Sequence, residues 1–182
     1  MDTDTVELET PRLFLRELRA DDAPEIQAYA GDVEVVRHLD WGPNTPADTE
    51  QFLALASAAR GETPRTAYHL AIVDKTGGRL IGGCRIEIRS SAHGPGDLGY
   101  VLARAAWGRG YATEAAGALL EFGFQRLALH RIWATCDVEN HASARVLEKI
   151  GMRREGQLRQ NVRRKGEWRD SYLYAVLRPE WR

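Results

Sequence analysis

The stretch Trp107-Gly108-Arg109-Gly110-Tyr111-Ala112-Thr113-Glu114-Ala115 decides how this chain is read. Before it, Asp97-Leu98-Gly99-Tyr100-Val101-Leu102 reads as a strand. After it, Ala112, Ala115, Ala116, Leu119, Leu120, Gly123, Phe124 and Leu127 recur at the spacing of one helical stripe, the strongest periodic signal in the chain. A strand, two glycines and an immediate helix start make a cradle for an anion. Glycine lets the backbone approach a ligand, and the first amides of a helix have no acceptor inside it and lie at its positive end. A diphosphate suits such a cradle, although Gly-x-Gly alone more often marks a structural turn. No Gly-Lys-Ser/Thr follows, so this is not a Walker loop; the third glycine and the parallel βαβ pattern of a dinucleotide fingerprint are also missing.

Outward from this stretch the elements follow one another without an internal repeat or a low-complexity linker. Upstream, near-alternation around Leu13, Leu15 and Leu18 predicts a first strand. Three helical stretches follow: one after Asp21-Asp22, one over Val33–Leu39, and one opened by Thr45 or Asp48 and closed at Gly61. His69–Asp74 and Arg79–Arg89 form a hairpin about Lys75-Thr76-Gly77-Gly78, and Ser90–Gly96 is a loop. Downstream, Arg131–Val138 alternates, and a short helix runs from Asn140 to Gly151. Two strands, Arg153–Arg163 and Trp168–Leu177, turn at Lys165-Gly166-Glu167. The expected architecture is one α+β domain over residues 1–182, with a mixed, mostly antiparallel sheet of about seven strands.

On the helix after Asn140, Ser143, Val146, Leu147 and Ile150 fall at i, i+3, i+4 and i+7. The Ser143 hydroxyl therefore shares the apolar stripe near the positive end of that helix. A structural serine and a plain Asn140 cap are the ordinary alternatives.

Composition bounds the class. With 43% hydrophobic and 28% charged residues over 182 positions, the chain is an ordinary globular one rather than disordered or coiled-coil. Apolar runs such as Ala71-Ile72-Val73 are too short to span a membrane, and the acidic Met1-Asp2-Thr3-Asp4 has no apolar segment behind it, which argues for a cytoplasmic protein. Cys84 and Cys136 lie in alternating apolar segments and read as buried free thiols; no metal site is expected. The net charge of −1 conceals an asymmetry: residues 1–60 carry 13 acids against 5 arginines, and residues 145–169 carry 9 bases against 3 glutamates. Solvated faces account for most of these charges, but an anionic cofactor and a cationic substrate would each favour one half. Arg159, Arg163, Arg164 and Lys165 lack the aromatic residues and overall positive charge of a nucleic-acid surface.

Taken in order, Thr10-Pro11-Arg12-Leu13, Asp32–Leu39, Ile81-Gly82-Gly83, Leu98-Gly99-Tyr100, the glycine loop, Asn140…Ser143…Glu148-Lys149-Ile150-Gly151-Met152, Glu155-Gly156 and Asp170…Tyr172 resemble the GNAT superfamily of N-acetyltransferases. Within it, the chain resembles the RimJ/RimL branch of ribosomal-protein N-terminal acetyltransferases.

The resemblance implies helices on both faces of the sheet and acetyl-coenzyme A held between two splayed parallel strands, here Asp97–Leu102 and Arg131–Val138. It implies that Trp107, Gly108, Arg109, Gly110, Tyr111, Ala112 and Thr113 hold the diphosphate, with Trp107 where the family has Gln or Arg. It further implies backbone contacts from Val101 and Leu102 to the pantetheine arm, one of them an oxyanion donor, and a contact from Asn140. Arg145, Lys149, Arg153 and Arg154 would meet the 3′-phosphate or, equally, pair on the surface with Glu148 and Glu155. The family's usual acid, a Tyr, is replaced by Leu147, and Ser143 takes its place in this branch. Asp97 stands where relatives carry a carboxylate base, with a structural or solvent-facing aspartate as the alternative, and no glutamate occupies the region of Val162.

The implied acceptor is a primary amine such as a protein N-terminus, drawn in by Asp21, Asp22, Glu25, Asp32 and Glu34 and lined by Tyr29, Trp41 and Tyr68. A polyamine, an aminoglycoside or another small amine is the alternative acceptor, and a non-catalytic coenzyme A-binding module is the alternative class. A homodimer is compatible with all of these.

Overall fold

Alternation of buried and half-exposed residues builds the strands, and reciprocal capping starts the helices. In β2 (Leu13–Glu17), Leu13, Leu15 and Glu17 are buried while Phe14 and Arg16 are not. The computed structural model describes residues 5–89 and 94–181, so part of the expected Ser90–Gly96 loop lies outside the described residues. Chain order is β1 (Glu7–Glu9), β2, α1 (Ala23–Ala30), α2 (Val33–Val36), α3 (Pro46–Arg60), β3 (Ala67–Asp74), β4 (Arg79–Ile88), β5 (Gly96–Leu102), α4 (Tyr111–Gln125), β6 (Arg131–Asp137), α5 (His141–Lys149), β7 (Arg153–Arg164) and β8 (Glu167–Leu177). Thr45 caps α3 and Asp48 reaches back to the Thr45 amide, so the two expected starting residues are halves of one capping box.

The sheet has eight strands in the order β1-β2-β3-β4-β5-β6-β8-β7. One more strand is present than the alternation predicts, because Glu7–Glu9 is three residues long at the edge and carries no apolar period. All neighbours are antiparallel except β5 and β6.

Two apolar layers cover the sheet. One face packs α4 and α5 through Ala115, Ala116, Leu119, Leu120, Phe124 and Leu147. The other packs α1 and α2 through Ile26, Tyr29, Val35 and Val36. Helix α4 lies very close to the sheet at Gly123, where a Cβ would stand 2.6 Å from Ile132 Cδ1 and 2.9 Å from Ile86 Cδ1. Cys84 and Cys136 are buried free thiols.

The feature that positions the site is a split in the middle of the sheet. β5 and β6 pair at only two positions, Gly96 with Ile132 and Asp97 with Trp133. Beyond these, β4 carries β5 to its end and β8 carries β6 to its end. Each half-sheet is stiffened from outside, so the gap between them is built in, and the inner edge of β5 from Leu98 onward has no strand partner.

Candidate active site

The wedge opens into a cleft of about 1530 Å³ lined by both splayed strands, the glycine loop and the start of α5. At its wide end Gly108 and Gly110 adopt φ of +72° and +79°, in the left-handed region that a side chain disfavours. Gly110 is the N-cap of α4, so the amides of Tyr111, Ala112 and Thr113 face outward without intrahelical acceptors. Trp107 turns its indole back, and Nε1 donates to the Leu102 carbonyl at 2.9 Å. The residue at the family's Gln/Arg position thereby ties the loop to the end of β5.

The loop is held from the far end of the chain. Glu114, in the first turn of α4, accepts from the Thr10 hydroxyl (2.7 Å), the Arg12 amide (2.8 Å) and Arg12 Nε (2.7 Å). Arg12 Nη1 donates to the Arg109 carbonyl at 2.8 Å. The Arg12 and Arg109 guanidinium groups lie over the Tyr111 ring at 4.7 and 5.1 Å. Sequence spacing did not pair Thr10 and Arg12 with Glu114, because they sit about a hundred residues apart and only the fold joins them. Burial raises the Glu114 pKa, but the bonds from Thr10 and Arg12 outweigh it and hold the carboxyl below its ordinary value of 4.5.

This latch contributes most at neutral pH. Glu114→Gln is expected to weaken coenzyme A binding about three- to tenfold in calorimetry, a modest loss because Arg12 is largely exposed. A depressed carboxyl stabilises above its unfolded pKa, so the melting advantage over Glu114→Gln is full above pH 4.5 and vanishes as pH falls through the lower folded value.

At the α5 side of the wedge, Asn140 Oδ1 accepts from the Ser143 amide at 3.1 Å, the ordinary N-cap bond. That bond leaves the Ser143 hydroxyl free, and Oγ lies 2.9 Å from the Tyr100 hydroxyl. Tyr100 also donates to the Ser143 carbonyl, at 3.2 Å. Burial pushes the Tyr100 phenol well above its usual pKa, with the serine contact only partly opposing it. Leu98-Gly99-Tyr100 was legible as a motif, but nothing in sequence spacing pointed Tyr100 at Ser143.

Asp97 does not join this pair. It lies about 10 Å back along β5 from Tyr100 and on the opposite face, by strand parity. Its buried carboxylate accepts from Arg89 Nη2 at 2.5 Å and from both terminal nitrogens of Arg85 at 3.4 Å. Arg145 and Lys149 line the cleft, whereas Arg153 pairs with Glu180 at 3.1 Å and Arg154 stacks over Tyr172.

The acceptor side, between the sheet and α1–α3, differs in part from expectation. Trp41 and Tyr29 line it; Tyr68 instead packs edge-on against Phe122 in the α4-side core. Of the five acids expected there, Glu34 lines the cleft. Asp22 is buried in a two-pronged pair with Arg16, and Asp32 caps α2 and pairs with Arg104. Asp40, Asp48, Glu87 and Glu139 supply acidic lining that sequence did not identify. Asp137, at the end of β6, accepts from Arg164 Nη1 at 2.6 Å and Arg169 Nε at 3.1 Å, and Lys165 Nζ donates to the Val36 carbonyl at 3.0 Å. The β7–β8 turn is thus tied to α2 across the cleft.

A split parallel strand pair with a glycine loop and helix start at its mouth defines the acetyltransferase (GNAT) domain, whose family model matches residues 12–153, and the chain belongs to that family. It is an acetyl-transferring enzyme. It is 36% identical over 172 residues to the uncharacterized N-acetyltransferase YnaD of Bacillus subtilis (strain 168), across 94% of this chain and 97% of that one. The crystal structure of a GNAT-family acetyltransferase from Bacillus anthracis matches with a TM-score of 0.85 at 32% identity, covering 96% of this chain and 100% of the other. That of a ribosomal-protein-S5-alanine acetyltransferase from Vibrio fischeri matches with a TM-score of 0.79 at 26% identity, covering 97% and 99%. Among the described residues, no helix is long and apolar enough to cross a membrane.

Proposed function

We propose that the enzyme acetylates the N-terminal α-amine of a protein or peptide, drawing on acetyl-coenzyme A, with Ser143 as the proton donor. The observation that carries this is the Ser143 hydroxyl inside the wedge, 2.9 Å from the hydroxyl of Tyr100. The likeness to an S5-alanine acetyltransferase supports an α-amine acceptor.

The residues present fit the donor. Loop amides from Gly108 to Thr113 would hold the diphosphate, the open edge of β5 at Val101 and Leu102 the pantetheine arm, and Asn140 and Arg145 would flank it. Acetyl-coenzyme A supplies an activated acyl thioester. An amide on the β5 edge is suited to polarising a carbonyl oxygen there.

Ser143 holds a proton at Oγ for the departing sulfur. The Tyr100 hydroxyl, 2.9 Å from that oxygen, can turn its proton from the Ser143 carbonyl to the serine anion as it forms, which makes Ser143 the better acid, while burial keeps Tyr100 itself protonated. Asp97 lines the cleft, and its ion pairs with Arg85 and Arg89 tie β5 to β4 and its continuation. An α-amine, with a pKa near about 8, is partly unprotonated at neutral pH and can lose its proton to water.

Release of free thiol from acetyl-coenzyme A is to be followed over a panel of N-terminal peptides, polyamines and aminoglycosides. Peptides with a free α-amine are expected to give the highest kcat/KM. A polyamine or aminoglycoside turned over more efficiently than every peptide would overturn the proposed acceptor.

A further inference from the structure

Among the described residues, two buried side-chain atoms have no hydrogen-bond partner, Arg164 Nε and Ser171 Oγ. Ser171 is 1% exposed, and both residues line the cleft. Buried polar groups are nearly always paired, and an orphan lowers stability unless a ligand or water completes it.

The two orphans belong to one place. Asp137 stands directly across from Ser171 in the β6–β8 register, and Arg164 Nη1 holds the Asp137 carboxylate at 2.6 Å. Strand parity puts Arg164 and Val162 of β7 on the same face as Arg169 and Ser171 of β8. The pair to Asp137 fixes the guanidinium plane, so Nε–H cannot turn away to another acceptor. A guanidinium nitrogen can only donate, and a hydroxyl beside it can donate too. The missing partner of such a pair is an oxygen acceptor.

We propose that Arg164 Nε and Ser171 Oγ form a subsite for the oxygen of a carbonyl group attached to the carbon that bears the accepting amine. This rests on the acetyl-transfer reading above and narrows its acceptor to α-amino carbonyl compounds, above all peptide N-termini. A protonated polyamine brings no oxygen to complete the two orphans. A peptide N-terminus carries its first carbonyl carbon two bonds from the nitrogen and so brings the missing oxygen with the amine.

The test compares an alanyl peptide with isopropylamine, in which a methyl group replaces the carbonyl, in wild type, Ser171→Ala and Arg164→Lys. Lysine keeps a cation beside Asp137 and removes the Nε donor; thermal melts check that both variants fold. The ratio of kcat/KM for peptide over isopropylamine should fall about tenfold in each variant, mainly through the KM of the peptide. Comparing ratios between enzymes cancels the different basicities of the two amines. A ratio within about twofold of wild type in either folded variant overturns the subsite and leaves the orphans to water. If wild type acetylates neither amine, it is the proposed function that fails instead.

Discussion

Ser143→Ala is expected to lower kcat by about 10²- to 10³-fold, with coenzyme A affinity changed less than about threefold. The hydroxyl carries little of the fold: the N-cap bond uses the Ser143 amide, and among the described residues Oγ shares a hydrogen bond with the Tyr100 phenol alone. Its loss therefore removes the proposed proton donor without removing a support. Tyr100→Phe is the companion variant. It leaves Ser143 in place but without a donor on its oxygen, so kcat should fall about tenfold while the KM of the acceptor holds. Steady-state kinetics at saturating acetyl-coenzyme A, with separate calorimetry, reads both. Turnover of Ser143→Ala within threefold of wild type would remove Ser143 from the mechanism.

Asp137→Asn is expected to reduce unfolding free energy by about 3 kcal/mol, at the lower end for breaking a buried pair, since Arg169 is partly exposed and keeps Glu139. Asp137 is 1% exposed at its side chain, and Arg164 is 12% exposed at its own. Asparagine leaves that guanidinium without its counter-charge at the junction of β6, β8 and the β7–β8 turn. The pH dependence follows in sign. Burial alone would raise the Asp137 pKa, but Arg169, the Glu139 amide and Arg164 outweigh it and hold the carboxyl below 3.8. Stability from a depressed carboxyl is complete above its unfolded value and lost as pH falls through its folded one. Urea denaturation should therefore show the same gap between wild type and variant at pH 7 and pH 5, closing only in stronger acid. A gap under about 1 kcal/mol at pH 7 would mean that Asp137 carries no structural weight.

What could be read from sequence was local. The α4 stripe runs from Ala115 to Phe124 as its spacing predicts, with Gly123 at the closest approach to the sheet. The glycine loop and helix start were legible as a chemical device, because backbone geometry there follows from residue type. For Asn140 and Ser143 the ordinary and functional alternatives proved compatible, since the cap uses one atom set and the Tyr100 contact another. Contacts that depend on tertiary approach were illegible: Glu114 with Arg12, Asp137 with Arg164 and Arg169, and Lys165 with Val36. The acidic first third misled in part because Asp22 and Asp32 are used inside the fold.

Calorimetric titration with coenzyme A and, separately, with pantetheine addresses the diphosphate cradle directly. Coenzyme A should bind one to one and at least about a hundredfold more tightly than pantetheine, which lacks the group that the amides from Gly108 to Thr113 are proposed to hold. No affinity for coenzyme A, or equal affinity for the two, would contradict the placement of the donor in the wedge.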